Sequence, residues 1–150
     1  MRVCLALFLA LVISINSLHY ASGQEQVETD NYCNLNFDGT HANESVKFQT
    51  SLGPRVPGSA ESSALRDSIK SNLTGWAITE STHHWGGMTL TNLFATWNKG
   101  MGSEVILAAH YDTRHKAERD SNESLRNKPI LGANDGASGV AVLLELARHI

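Results

Sequence analysis

His110 and Asp112 stand two residues apart at the end of the apolar run Val105-Ile106-Leu107-Ala108-Ala109, and Asp135 follows in the small-residue segment Gly132-Ala133-Asn134-Asp135-Gly136-Ala137-Ser138-Gly139. On a strand, residues i and i+2 share a face. His110 and Asp112 are therefore expected side by side at a strand's C-terminal end, the edge where α/β sheets bind ligands. A carboxylate beside an imidazole fixes its tautomer and leaves the other ring nitrogen free for a metal. Asp135 sits in a sharp turn that opens a helix, whose dipole favours an anion nearby. Taken alone, Asp135 reads equally as a helix cap, and a lone His-x-Asp carries little weight. Together they read as part of a zinc site, because zinc takes His nitrogen and carboxylate oxygen, normally with four ligands. These residues supply at most two of them.

The elements that must position these groups follow from pattern. Gly53-Pro54-Arg55-Val56-Pro57-Gly58 excludes regular structure and reads as a loop of fixed shape, with Arg55 as a buried tie. Ser59 is a helix cap, and Leu65, Ile69 and Leu73 form one apolar face of the helix that follows. An earlier helix is expected over 44–52, with Val46 and Phe48 or Leu52 inward. Strands are expected over 76–82 and 90–97, with His83-His84-Trp85-Gly86-Gly87 as the turn between them. After a turn over 98–102, a third strand over 104–109 is apolar enough to be buried on both faces. Residues 113–129 are polar and charge-mixed, a surface excursion whose first residue beyond Thr113, Arg114, leaves beside His110. A final amphipathic helix runs over 139–150. Glu145 falls inside it, about two turns past the site, and reads as structural. The element order points to the α/β class: a three-layer α/β sandwich with a mixed central sheet, incomplete at the C-terminus.

Ahead of this domain, Arg2, the apolar stretch Val3 to Ile15 and Ala21-Ser22-Gly23 have the layout of a secretory signal peptide over 1–23. The apolar stretch is shorter than the ~20 residues a membrane span needs. Residues 24–43 read as a polar N-terminal arm, and 44–150 as the N-terminal part of a catalytic domain. The expected product is secreted or sent to another exported compartment, free of the membrane after cleavage. The formal net charge of −3 leaves no basic footprint for nucleic acid. Cys4 lies in the leader, so Cys33 is left without a partner in this chain. Asn43, Asn72 and Asn122 begin Asn-x-Ser/Thr sequons.

Four stretches resemble one family: Arg55-Val56-Pro57-Gly58-Ser59, Leu90-Thr91-Asn92-Leu93-Phe94-Ala95-Thr96, Ala109-His110-Tyr111-Asp112-Thr113-Arg114, and Pro129-Ile130-Leu131-Gly132-Ala133-Asn134-Asp135-Gly136-Ala137-Ser138-Gly139. In order and spacing they are similar to the M28 zinc peptidase superfamily, and most similar within it to the glutaminyl-peptide cyclotransferases. The resemblance implies that Asp135 is a zinc ligand and that Asp112 orients His110. In a one-zinc cyclase, His110 lies near the metal without binding it. In a two-zinc aminopeptidase, His110 is a ligand of the second Zn2+ and Asp135 bridges. The general-base Glu and the remaining ligands are implied downstream of Ile150. Three readings follow: a cyclase that converts N-terminal Gln of peptides or proteins to pyroglutamate, a two-zinc aminopeptidase acting on the same kind of N-terminus, and a catalytically silent ectodomain of the same fold. Oligomeric state is open.

Overall fold

The computed structural model describes residues 36–150. The expected signal peptide, residues 24–35 of the expected arm, and Cys33 lie outside the described residues.

Helix α1 spans Gly39–Ser51. It starts five residues ahead of the expected Glu44 because Asp38 caps it, its carboxylate accepting from the amides of Thr40 and His41 at 2.9 and 3.0 Å. Its buried residues are Ala42 and Gln49; of the residues expected inward, Phe48 is exposed, while Leu52 packs against the core. The helix packs on the last helix through small and polar residues. Helix α2 spans Ala60–Asn72, with the Ser59 hydroxyl accepting from the amide of Ser62 at 3.1 Å, as expected. Leu65, Ile69 and Leu73 of α2 form the core with Val140, and Trp76, Ile78, Leu93, Ala109 and Tyr111 pack around them.

Strand β1, Ala77–Trp85, pairs antiparallel with β2, Met88–Thr96. Trp85 lies opposite Met88, so the connection is the two residues Gly86-Gly87, with φ of 58° and 77°. Positive φ at both central positions is the backbone of a type I′ hairpin turn, which suits the right-handed twist of strands. His83, His84 and Trp85, expected in the turn, are therefore strand residues.

The expected third strand differs more. Residues 104–109 are not hydrogen-bonded into the two-stranded sheet, and Val105 and Ile106 are 81% and 87% exposed. A strand exists only with ladder partners, and none is present for this stretch among the described residues. Ala109 and Tyr111 still reach the core, and the Tyr111 hydroxyl donates to the Thr91 carbonyl of β2. Residues 113–129 are mostly exposed, closed at the base by Ala117 N–H to Lys128 O and Ile130 N–H to Arg114 O. Thr113 and Ala117 are buried there.

Helix α3 spans Ser138–Ala147, ending three residues before the expected Ile150. The Glu145 side chain has no solvent exposure. Its oxygens accept from the Asp38 amide at 3.1 Å and the Arg148 guanidinium at 2.8 Å, with His41 Nδ1 at 2.6 Å and His149 Nε2 at 3.1 Å. Glu145 thus latches α3 to the start of α1. Among the described residues, no helix is long and apolar enough to cross a membrane.

Burial alone would raise the Glu145 pKa, but the hydrogen bonds from Arg148, the Asp38 amide, His149 and His41 outweigh it and hold the group at about 2, below its ordinary 4.5. A depressed carboxyl pKa contributes stability that is complete above the unfolded value and lost as pH falls through the folded one. The thermal midpoint of the wild type should therefore drop between pH 4.5 and about 2. Glu145→Gln should lower the midpoint at neutral pH and flatten its dependence across that window. Parallel pH profiles for the two proteins would remove this role from Glu145.

Candidate active site

Two glycines allow the Asp135 turn to press against the segment that carries His110. Gly132 has φ 60° and ψ 50°, and Gly136 has φ 106°. A Cβ at Gly132 would overlap the Asp135 carbonyl oxygen and lie 2.6 Å from Thr113 Cγ2. At Gly136 it would lie 3.0 Å from the Asp112 carbonyl oxygen and 3.3 Å from His110 Cε1. Gly139 performs the same service one turn on, where α3 approaches Ala109. The glycines are there because the backbones touch.

This approach brings the three candidate residues together. His110 Nδ1 is 3.4 Å from Asp112 Oδ1, and His110 Nε2 is 3.3 Å from Asp135 Oδ1. Arg114 Nε stands 3.7 Å from the other Asp135 oxygen and also holds Glu118 at 2.8 Å. The His110, Asp112 and Asp135 side chains are each about half exposed. Asp135 makes no cap to α3, whose first turn has no side-chain cap hydrogen bond. Its carboxylate faces His110 and Arg114 instead. Beside the cluster, an open, mostly apolar groove of about 780 Å³ runs between β2, residues 105–112 and α3.

Zinc–nitrogen and zinc–oxygen bonds of about 2.0–2.2 Å at tetrahedral angles separate neighbouring donors by roughly 3.3–3.5 Å. The 3.3 Å between His110 Nε2 and Asp135 Oδ1 fits that spacing. Among the described residues, no group of three His, Cys, Asp or Glu is placed to hold a metal. The donor set is right in chemistry and partial in number.

Beneath the cluster lies Arg55, fully buried, its guanidinium donating to the carbonyls of Tyr111, Gln49, Gly53, Leu131 and Gly132 at 2.8–3.2 Å. Burial lowers its pKa, and the nearby Asp112 carboxylate partly opposes that. Gln49, also fully buried, donates from Nε2 to the Ala137 carbonyl at 3.0 Å. Sequence reasoning missed Gln49, since one polar residue in an amphipathic helix gives no sign of facing inward. It placed Arg114 in a solvated loop that could also rim the pocket beside His110, and the side chain does reach Asp135. His83 and His84 are hydrogen-bonded within the hairpin, to Ser81 and Thr89, and do not join the cluster.

Residues 92–150 match the family model of Peptidase family M28. The fold is that of zinc exopeptidases and glutaminyl cyclases, in part. A Zn-dependent exopeptidase from Parabacteroides distasonis superposes with a TM-score of 0.69 at 33% identity, over 75% of this chain and 41% of that one. The chain resembles the M28 zinc peptidases and, within them, the glutaminyl-peptide cyclotransferases. The glutaminyl cyclase of Tannerella forsythia gives a TM-score of 0.69 at 32% identity, over 75% of this chain and 41% of that one. The glutaminyl-peptide cyclotransferase of Bothrops jararaca is 32% identical over an alignment 123 positions long, which covers 74% of this chain and 32% of the relative. The chain thus spans about a third of the length of that curated relative.

Gly136→Ala tests the backbone contact. Its φ of 106° and the 3.0 Å approach to the Asp112 oxygen should make the substitution cost ~1–3 kcal/mol in chemical denaturation. A cost near zero would mean that the turn and the His110 segment are not held in contact.

Proposed function

We propose that this chain is part of a zinc-dependent glutaminyl-peptide cyclotransferase, acting on peptides or proteins with an N-terminal Gln. The supporting observation is the placement of His110 between Asp112 and Asp135, beside a groove, in a chain similar to cyclotransferases. Asp135 would hold the metal. Asp112, with Oδ1 3.4 Å from His110 Nδ1, would hold the imidazole with Nε2 toward the Asp135 carboxylate, while Arg114 would steady its second oxygen. A bound zinc ion would supply Lewis-acid polarisation of the substrate's γ-carboxamide. The substrate's neutral α-amine would attack the carbonyl carbon of its own γ-carboxamide (Cδ), closing the five-membered lactam as the Cδ–Nε bond breaks, and ammonia would leave with a proton shuttled by a carboxylate outside the described residues. Tethering amine and amide in one residue supplies the proximity such a step needs. The missing metal donors would come from further polypeptide of the domain. Residues 1–23 would direct export, so mass spectrometry of the secreted protein should find an N-terminal peptide that begins at Gln24, free or as its pyroglutamyl form. A first residue of Met1 would remove that part of the proposal.

The aminopeptidase reading rests on the 3.3 Å spacing of His110 Nε2 and Asp135 Oδ1, which also suits two ligands sharing a metal centre, and on the likeness to a Zn-dependent exopeptidase. Assay separates the two. In a complete catalytic domain, a Gln-initiated peptide should lose ammonia to give a pyroglutamyl product, and a chelator should stop the reaction. Asp135→Asn should abolish turnover and metal content, and Asp112→Asn should cost roughly 10–100-fold. One zinc per chain is expected, retained in His110→Ala. Two metals per chain and release of free amino acids would transfer the site to the peptidase reading. The 150-residue chain alone should be inactive, and zinc-dependent turnover by it would overturn the claim that donors are missing.

A further inference from the structure

We infer that Arg55 and Gln49 are positioning residues of the site: together they fix the His110–Asp112 segment and both flanks of the Asp135 turn relative to one another. The assignment takes its catalytic meaning from the function proposed above, but its geometry stands independently. Arg55 Nε donates to Tyr111 O, the carbonyl between His110 and Asp112, at 3.2 Å. The Thr113 amide returns a hydrogen bond to Arg55 O at 3.1 Å. Nη1 and Nη2 donate to Leu131 O at 2.8 Å and Gly132 O at 3.0 Å, just ahead of Asp135. Gln49 takes the other flank through Ala137 O. The two residues are themselves joined, Arg55 Nη1 donating to Gln49 O at 3.0 Å.

The chemistry of the pair fits placement better than stability. A buried guanidinium needs its lost hydration replaced, and here five main-chain carbonyls replace it. The fixed fork of five N–H donors reaches several acceptors from one point, which lysine cannot copy. Among the described residues, Gln49 Oε1 and Thr113 Oγ1 are buried without a partner, and a buried acceptor left so costs stability.

Amide hydrogen exchange on the metal-free chain tests the inference apart from any activity. In Arg55→Lys, exchange at 110–113 and 131–137 should rise together by roughly ten-fold or more, with α2 and the hairpin unchanged. Gln49→Leu should loosen only 135–139. Changes confined to 53–58, or spread evenly over the chain, would overturn the assignment. If Arg55→Lys does not fold, Gln49→Leu decides alone, and unchanged exchange at 135–139 counts against it. In a complete domain, Arg55→Lys should lower kcat by about 100-fold with little change in KM. A wild type that turns over no Gln-initiated peptide would remove the proposed function, while the exchange pattern would still decide the positioning role.

Discussion

Five carbonyl groups from three stretches of chain converge on the Arg55 guanidinium. A buried cation can be held only if the protein supplies the dipoles that water no longer does. The cost of dispersing those dipoles links three stretches of polar backbone: the end of α1 with its loop, the segment carrying His110, and the turn carrying Asp135. The apolar core of Leu65, Ile69, Leu73 and Val140 sets α2 against α3. Arg55 sets the polar layer above it, and the glycines at 132 and 136 let that layer close up.

A second polar tie works at the opposite end of α3. Glu145 joins this helix to Asp38 and His41 at the start of α1. Gln49 meets the front of α3 through Ala137, and Glu145 meets its back. The two interactions hold α1 and α3 at both ends, so the Asp135 turn at the front of α3 inherits its orientation from a helix that carries none of His110, Asp112 and Asp135.

Much of the site was legible because its signals are local. A His and an Asp two apart after an apolar run, and an Asp among glycines, need no knowledge of distant contacts. The Ser59 cap and the apolar face of α2 are local for the same reason. The differences arise where tertiary contact decides. Gly86-Gly87 can form the hairpin turn unaided, so β propensity extended β1 through His83, His84 and Trp85. The 104–109 stretch has a strand's composition, but pairing depends on neighbours that composition cannot supply. Gln49 points inward because a carbonyl on another helix awaits it. Arg55 was readable as a tie from its Pro- and Gly-fixed loop, while its acceptors were not.

The uncovered Val105, Ile106 and Leu107 carry a consequence for the protein's life in solution. An apolar stretch whose backbone groups lack ladder partners is a template on which strands of other molecules can nucleate. Lys99 and Glu104 stand just before it and His110 just after, in the places where charged or polar gatekeepers slow such growth. Colloidal stability during synthesis is then a race between burial of this stretch and its capture by a neighbour, and concentration sets the odds.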